Sequence, residues 1–470
     1  MKLEESKTKR QEEGGQKWRY NKGRGTYDWC PAMGKTYAAL SNCNKMFIQH
    51  PNIRIYVVTP SIAIQETVWK PNILKHCFNH KDNFTVLTIN YIQENNLRLE
   101  GDLIILDEIH EYYSSDRLEL VKNFKSKFIL GLTGTRKDNK NRYRLMEEII
   151  PVIDIITEKE ALDNGWISKF IEFNISTNLT EDERIKYEKT SELIRNLLAK
   201  FGRNGLDIAN KCLSGGKDEF GNEYTAIQFC TGWALHNGWR NNLNLENETE
   251  LKIHKMWNPK LIMGYARHLM TAIRDRKNIL YNAENKLNKA IEVLKRFDKL
   301  KTICFAQSTF FADTLMYKIN TEIESNICGV YHSKVKTELL PIGKNGKMIK
   351  VGQTRLKRMT LEKFRNNEYR ILSTASSLDR GLDINDIRLA LICSATQNPT
   401  QQKQRGARAK RLELYDKNAI VLIVNLYVKN TQDEKWLRNR QKDTISTVFW
   451  VDSVNEITYK PIDTNTLQDF

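Results

Sequence analysis

Two short clusters carry the residue types that handle phosphate and a divalent cation. Gly34-Lys35-Thr36 sits between Pro31-Ala32-Met33 and the helix-compatible stretch Tyr37–Cys43. A loop that enters a helix N-terminus turns free N–H groups and the positive end of the helix dipole toward an anion. There Gly34 would let the backbone close on phosphates, Lys35 would reach the β- and γ-phosphates, and Thr36 would ligate Mg²⁺. One departure stands out: the glycine expected five residues before Gly34 is Trp29. In the second cluster the apolar run Leu103–Leu106 ends in Asp107-Glu108-Ile109-His110. Adjacent carboxylates at a strand end suit a Mg²⁺-nucleotide: Asp107 would hold the metal, usually through water, and Glu108 would orient the attacking water as general base. Each cluster also has an ordinary reading, as a chance triplet or a charged strand end. Together, at a separation of about 70 residues, they point to a nucleoside triphosphatase.

Groups of this kind need rigid strands beneath them. In the first third of the chain, short apolar runs alternate with polar, helix-compatible stretches: Ile53–Thr59, Phe84–Ile89, Leu103–Leu106 and Phe128–Leu132. Near-continuous apolar runs of this length suit strands covered on both faces, and their alternation with helical stretches predicts a doubly wound parallel sheet. From about Leu179 to Leu300 the β-runs stop. Long helix-like stretches, Glu181–Phe201 and Ala272–Phe297, replace them, interrupted at Gly215-Gly216 and Gly221-Asn222. From Thr302 the β-runs return as Thr302–Ala306, Ile327–Tyr331, Arg370–Ser373, Leu389–Ser394 and Ala419–Val424. The predicted architecture is α/β, two parallel-sheet domains with a mostly helical insertion between them. The expected division is residues 1–175, 176–300 and 301–445, with a tail at 446–470.

Composition narrows the function classes. Of 470 residues, 40% are hydrophobic and 28% charged, enough for sizeable cores and against wholesale disorder. Lys plus Arg number 74 against 57 Asp plus Glu, a net charge of +17. That excess favours a polyanionic partner, most simply nucleic acid, although a solvated basic surface gives the same sum. Eight cysteines stand singly, without a C-x-x-C pair, and read as reduced thiols of a cytosolic protein. No apolar stretch approaches the length of a membrane span, and the first residues lack a signal-peptide core.

Further motifs follow in order. Gly131-Leu132-Thr133-Gly134-Thr135 ends the next apolar run, and Thr374-Ala375-Ser376-Ser377-Leu378-Asp379-Arg380-Gly381-Leu382-Asp383 follows a strand of the second domain. Gln401-Gln402-Lys403-Gln404-Arg405-Gly406-Ala407-Arg408 comes next, a segment that alone reads equally well as a solvated basic helix. With these in register, the sequence resembles the superfamily 2 helicases of the DExH branch, most of all compact phage helicases and restriction translocases. The likeness covers roughly residues 10–175 and 295–440.

The resemblance implies two RecA-like domains, ATP and Mg²⁺ in the cleft, and nucleic acid across both domains. Gln11 resembles the adenine-contacting glutamine, and Gly34, Lys35 and Thr36 resemble motif I, with Trp29 and Ala32 where glycines are usual. Thr59, Pro60 and Ser61 with Gln65 look like motif Ia and Thr88–Tyr91, including Asn90, like motif Ib; both would contact the nucleic-acid backbone. Asp107–His110 is similar to motif II, with His110, Thr133 and Thr135 as coupling residues, the last two in a TGT motif III commoner among DNA-acting members. Ser308 falls in a motif IV look-alike, and Thr374, Gly381 and Asp383 in motif V. Gln401, Arg405 and Arg408 match motif VI, whose arginines would stabilise the γ-phosphate; Gln404 replaces its usual glycine. Asn430–Trp436 resembles a downstream element without a derivable role.

Weaker signals remain. Trp233, Trp239 and Trp257, with nearby cations, could stack bases but more often such residues are core. Lys334, Lys336, Arg355, Lys357 and Arg358 flank a Gly-rich turn that could be a hairpin at a duplex junction or an exposed loop. His76, Cys77 and His80 have metal-like spacing without a second pair, so no metal beyond Mg²⁺ is assigned. The expected activity is an ATP-dependent helicase or translocase on DNA, cytoplasmic (host cytoplasm if viral), taken as a monomer. The alternatives are an RNA helicase and a clamp that binds nucleic acid without productive hydrolysis.

Overall fold

The computed structural model describes residues 2–134, 142–217, 222–240, 247–340, 348–375, 386–394, 420–441 and 448–458. Its first sheet has six strands: β1 (Arg24–Trp29), β2 (Ile55–Thr59), β3 (Phe84–Thr88), β4 (Glu100–Asp107), β5 (Lys125–Thr133) and β6 (Val152–Ile156). They run parallel in the order β3-β2-β4-β5-β1-β6. Both faces are covered, as the apolar runs require. Leu103, Ile105, Val57, Leu130 and Leu132 pack into one core, while Ile104, Leu106, Val58 and Ile129 pack into the other. Four of the strands coincide with the predicted runs. β1 and β6 do not, because RGTYDW and VIDII mix charges, glycines and apolar residues.

β7 (Phe170–Thr177) belongs to the second sheet, so the expected boundary at 175 falls inside a strand of the other layer. Beyond it, Asn178–Leu287 forms a separate compact unit. This unit consists of the helices Glu181–Ala199, Gly205–Ser214, Ala226–His236, Glu248–Trp257 and Pro259–Tyr281, plus a short antiparallel pair, β8 (Gly216–Lys217) and β9 (Glu223–Tyr224). A capping box at Thr180 and Glu183 starts the first helix. The expected stretch 272–297 is not one helix. It breaks at Asn282, whose side chain bonds back to the Asn278 carbonyl at 2.9 Å, and a new helix runs Glu284–Arg296. Trp239 lies in the core of the unit with Trp233 and Trp257 packed against it, which supports their reading as core residues.

The second sheet combines β7 with β10 (Thr302–Ala306), β11 (Cys328–His332), β14 (Ile371–Ala375), β15 (Leu389–Ile392), β16 (Val421–Val428) and β17 (Val448–Val451). All pairings are parallel, in the order β11-β14-β10-β15-β16-β7-β17. A hairpin of β12 (Glu338–Leu340) and β13 (Ile349–Val351) precedes the helix Gln353–Arg365. β7 is fastened to β16 by a buried polar cluster: Asn425 Nδ2 donates to Glu172 Oε1 at 2.6 Å and to Asn174 Oδ1 at 2.9 Å. All eight cysteines are buried free thiols. No helix among the described residues is long and apolar enough to cross a membrane.

Candidate nucleotide site and its strand-end frame

The sequence motifs of the first sheet collect at one edge. Register pairs Asp28 with Thr133, Asp107 with Leu132, and Thr59 with Thr88, so the C-terminal ends of β1 to β5 share a rim. Open parallel sheets bind ligands at that edge.

On this rim Gly34 caps helix α2 (Lys35–Gln49) with φ 78 and no side-chain cap, which leaves the first N–H groups of the helix for an anion. A Cβ at Gly34 would stand 2.5 Å from Gln11 Nε2. Ala32 also has positive φ, 69, which glycine would adopt without strain. Lys35 Nζ donates to the Trp29 carbonyl at 3.0 Å. The end of β5 comes close: a Cβ at Gly134 would be 3.1 Å from Lys35 Nζ.

The loop is braced from behind by helix α1 (Lys2–Tyr20), an element the apolar pattern does not announce. Lys7 Nζ donates to the Ala32 carbonyl at 2.9 Å and Gln11 Nε2 to the Met33 carbonyl at 2.7 Å. α1 is itself anchored on β6, where Asp154 accepts from Arg10 Nη1 at 2.8 Å, from Lys17, and from Trp29 Nε1 at 2.8 Å. Trp29 therefore serves as a wall, stacked on Tyr27 with ring centres 4.5 Å apart. Burial alone would raise the Asp154 carboxyl, but the hydrogen bonds from Arg10 and Lys17 hold it below the usual carboxylate value. Lys7, Arg10, Gln11, Gly14 and Trp18 follow helical spacing, so a polar stripe was the available signal.

Asp107 ends β4 with its side chain buried. Trp69 Nε1 donates to Asp107 Oδ2 at 2.8 Å, a partner that sequence reasoning missed. Burial pushes the Asp107 carboxyl up to about 7, with the Glu108 charge adding to it, while the Trp69 N–H and Lys35 pull the other way. Glu108 takes the left-handed conformation, φ 52. Its Oε2 is buried without a hydrogen-bond partner among the described residues and lies 3.4 Å from His110 Nδ1. The same ring nitrogen is 3.2 Å from Thr133 Oγ1. The site thus offers phosphate donors at Gly34–Thr36, two carboxylates with unfilled acceptor capacity, and a Lys35 charge that Asp107 feels. These residues fit a Mg²⁺-nucleoside triphosphate.

The backbone-contact candidates are placed at strand ends. Thr59 is buried, and its hydroxyl bonds the carbonyls of Ser61 at 3.2 Å and Leu87 at 3.3 Å, so its side chain ties the loop together. Pro60 is buried beside it, while Ser61 caps the next turn through Ile64 N. Asn90 is exposed and accepts from Arg117 at 2.7 Å. In the second sheet Ser308 caps the helix Thr309–Glu322, and Thr374 Oγ1 is buried on β14 without a hydrogen-bond partner among the described residues. Thr135, Gly381, Asp383, Gln401, Arg405 and Arg408 lie outside the described residues. His76, Cys77 and His80 point separately at α2: Cys77 Sγ meets Asn44 Oδ1 at 3.1 Å, and His80 stacks on Phe47 at 4.0 Å.

Comparison with known proteins bears on both sheets. Residues 65–138 match the family model "Type III restriction enzyme, res subunit", and residues 285–413 match "Helicase conserved C-terminal domain". The chain is 23% identical over 421 residues to the DNA 3'-5' translocase XPB2 of Sulfurisphaera tokodaii, covering 87% of this chain and 79% of the relative. The helicase domain of Hef from Pyrococcus furiosus aligns over 91% of this chain and 97% of that one, at 13% identity and a TM-score of 0.46.

Proposed function

This chain is a superfamily 2 helicase, a nucleic-acid-dependent ATPase, and from that premise we propose that it moves along or unwinds DNA using ATP and Mg²⁺. The carrying observation is the convergence of Lys35, Asp107 and Gly134 on one strand-end rim, with Glu108, His110 and Thr133 in a chain beside it. The name of the Sulfurisphaera relative describes DNA translocation, and the TGT form of motif III points the same way.

In this reading the α2 N-terminus and Lys35 bind the phosphates, while Thr36 and Asp107 hold Mg²⁺. Bound Mg²⁺ would draw charge from the phosphate oxygens as the terminal bond breaks. Glu108, held by its left-handed backbone, accepts a proton from the attacking water. His110 passes the state of Glu108 to Thr133 and so to β5. Gln11 reads the adenine side of the pocket. Arg405 and Arg408, with Gln401, Gly381 and Asp383, complete the site from the second domain. An arginine supplied this way is worth about 10³–10⁵ in rate, so hydrolysis depends on closure and closure on the γ-phosphate. Thr59–Ser61, Asn90, Ser308 and Thr374 would contact the nucleic-acid strand, in a DExH-type monomer.

Steady-state ATP hydrolysis tests this, with wild type and Lys35→Ala, without nucleic acid and then with single-stranded, duplex and forked DNA and with RNA. Stimulation by DNA that the substitution abolishes is the expected result. Stimulation by RNA alone would move the assignment to RNA remodelling, and binding without turnover would make the protein a clamp.

A further inference from the structure

The segment after β2 has two working faces. Ser61 caps a short turn, Gln65–Trp69 then forms a π-turn, and the helix Lys70–His76 follows. One face, with Glu66, Thr67, Asn72 and Lys75, lines a cavity of 960 Å³ whose far wall includes Lys357 and Arg358 of the helix Gln353–Arg365. The other face buries Trp69, whose indole N–H donates to Asp107 Oδ2 at 2.8 Å.

An indole is a donor only, so this bond occupies one carboxylate oxygen and leaves the other toward the metal position. Its aim depends on the π-turn. One extra residue in a helical turn rotates everything after it by about 100°, so relaxation of the π-turn to α geometry would swing Trp69 off Asp107. A π-turn that follows directly on the short turn capped by the motif Ia serine, faces a cation-bearing cleft and ends on the metal carboxylate is in reach of both ligands, and either could bias its geometry.

We infer that Trp69 is a positioning residue that couples occupancy of the cleft by single-stranded DNA to the orientation of Asp107. The inference rests on the proposed ATP and DNA sites. It concerns binding as well as turnover, because coupling between two ligands is reciprocal.

Calorimetric titration with the non-hydrolysed analogue AMP-PNP tests it, with and without single-stranded DNA, in Mg²⁺ and in EDTA. In wild type, DNA should tighten Mg·AMP-PNP by about fivefold or more. In Trp69→Phe that factor should fall below about twofold in Mg²⁺, and Trp69→His, which keeps a ring N–H, should recover part of it. In EDTA the two proteins should bind alike, because Asp107 acts through the metal. A purely structural loss would weaken binding in EDTA equally and would overturn the inference, as would full coupling in Trp69→Phe. Absence of DNA binding by wild type would instead sink the proposed function. If Trp69→Phe does not fold, wild type labelled with 5-fluorotryptophan decides. The ¹⁹F line that Asp107→Asn displaces should also move when DNA alone is added, and a line that stays still refutes the coupling.

Discussion

Replacing Gly14 with alanine tests whether α1 is clamped against the phosphate loop. A Cβ at Gly14 would stand 2.4 Å from Cζ2 of Trp29 and 3.1 Å from Asp154 Oδ2. Ordinary carbon contacts are about 3.5–4.0 Å, so one partner must yield by about 1 Å. Trp29 has little freedom: it is fully buried, stacked on Tyr27, and its N–H is held by Asp154 at 2.8 Å. Overpacking of this kind costs about 1–3 kcal/mol, and the helix preference of alanine over glycine returns about 1 kcal/mol. The net loss should be about 1–2 kcal/mol, because the overlap sits at the unyielding end of that range. α1 backs away instead, stretching the bonds from Lys7 and Gln11 to the Ala32 and Met33 carbonyls. At about 0.5–1.5 kcal/mol each, losing both would weaken ATP binding by roughly 5- to 150-fold. Gly264→Ala is the control, since nothing lies within 4 Å of its Cβ in the helix Pro259–Tyr281. It should gain about 1 kcal/mol. Urea unfolding and ATP titration of the three proteins give the answer. A Gly14→Ala protein as stable as Gly264→Ala, with unchanged ATP affinity, would refute the clamp.

Three other outcomes are expected. Asp154→Asn leaves the partly buried Arg10 guanidinium with Glu160 as its remaining charge partner and removes the carboxylate that Lys17 also bonds, and should cost about 1–3 kcal/mol in urea unfolding and loosen ATP binding. Because the folded-state value of Asp154 is depressed, the wild-type contribution should be complete above pH about 4 and vanish as pH falls through the lower folded value. Asp107, raised to about 7, must give up its proton to take Mg²⁺. The apparent Mg²⁺ affinity in the presence of AMP-PNP should therefore fall about tenfold per unit below pH 7, and saturating Mg²⁺ should move the acid limb of hydrolysis to lower pH. DNA affinity should fall linearly on a logarithmic salt scale as phosphate contacts release counterions, and a flat response would remove the nucleic-acid reading.

The sequence made some elements legible and hid others for physical reasons. Strands buried on both faces, such as β4 and β10, show as unbroken apolar runs and were found at their observed places. β1, β6 and β7 carry Asp28, Asp154, Glu172 and Asn174 inside them, and those polar residues erase the pattern, the last three while serving as anchors. α1 was invisible because its buried stripe is polar. Lys35, Asp107, Glu108, His110 and Thr133 stand out in the sequence because the chemistry expected of them fixes residue type and strand-end placement together, and the structure places them at one rim. Trp69 was not, since an indole that donates to a carboxylate from a helical turn distant in sequence leaves no local mark.

The placement of β7 also sets the order in which the chain can be completed. Glu172 and its partner Asn425 are 253 positions apart, with the whole helical unit and four strands of the same sheet encoded between them. During synthesis β7 therefore emerges early and waits, its polar groups served by water, until β16 arrives. The entropy of closing so long a loop grows only logarithmically, so the finished sheet loses little. The delay falls on rate, because non-local parallel pairing is slow and leaves an edge exposed meanwhile. A fragment that starts at Thr302 would carry the same defect permanently, with β16 bare along eight residues. Such a fragment should aggregate, and adding Phe170–Thr177 as a separate peptide strand should restore solubility.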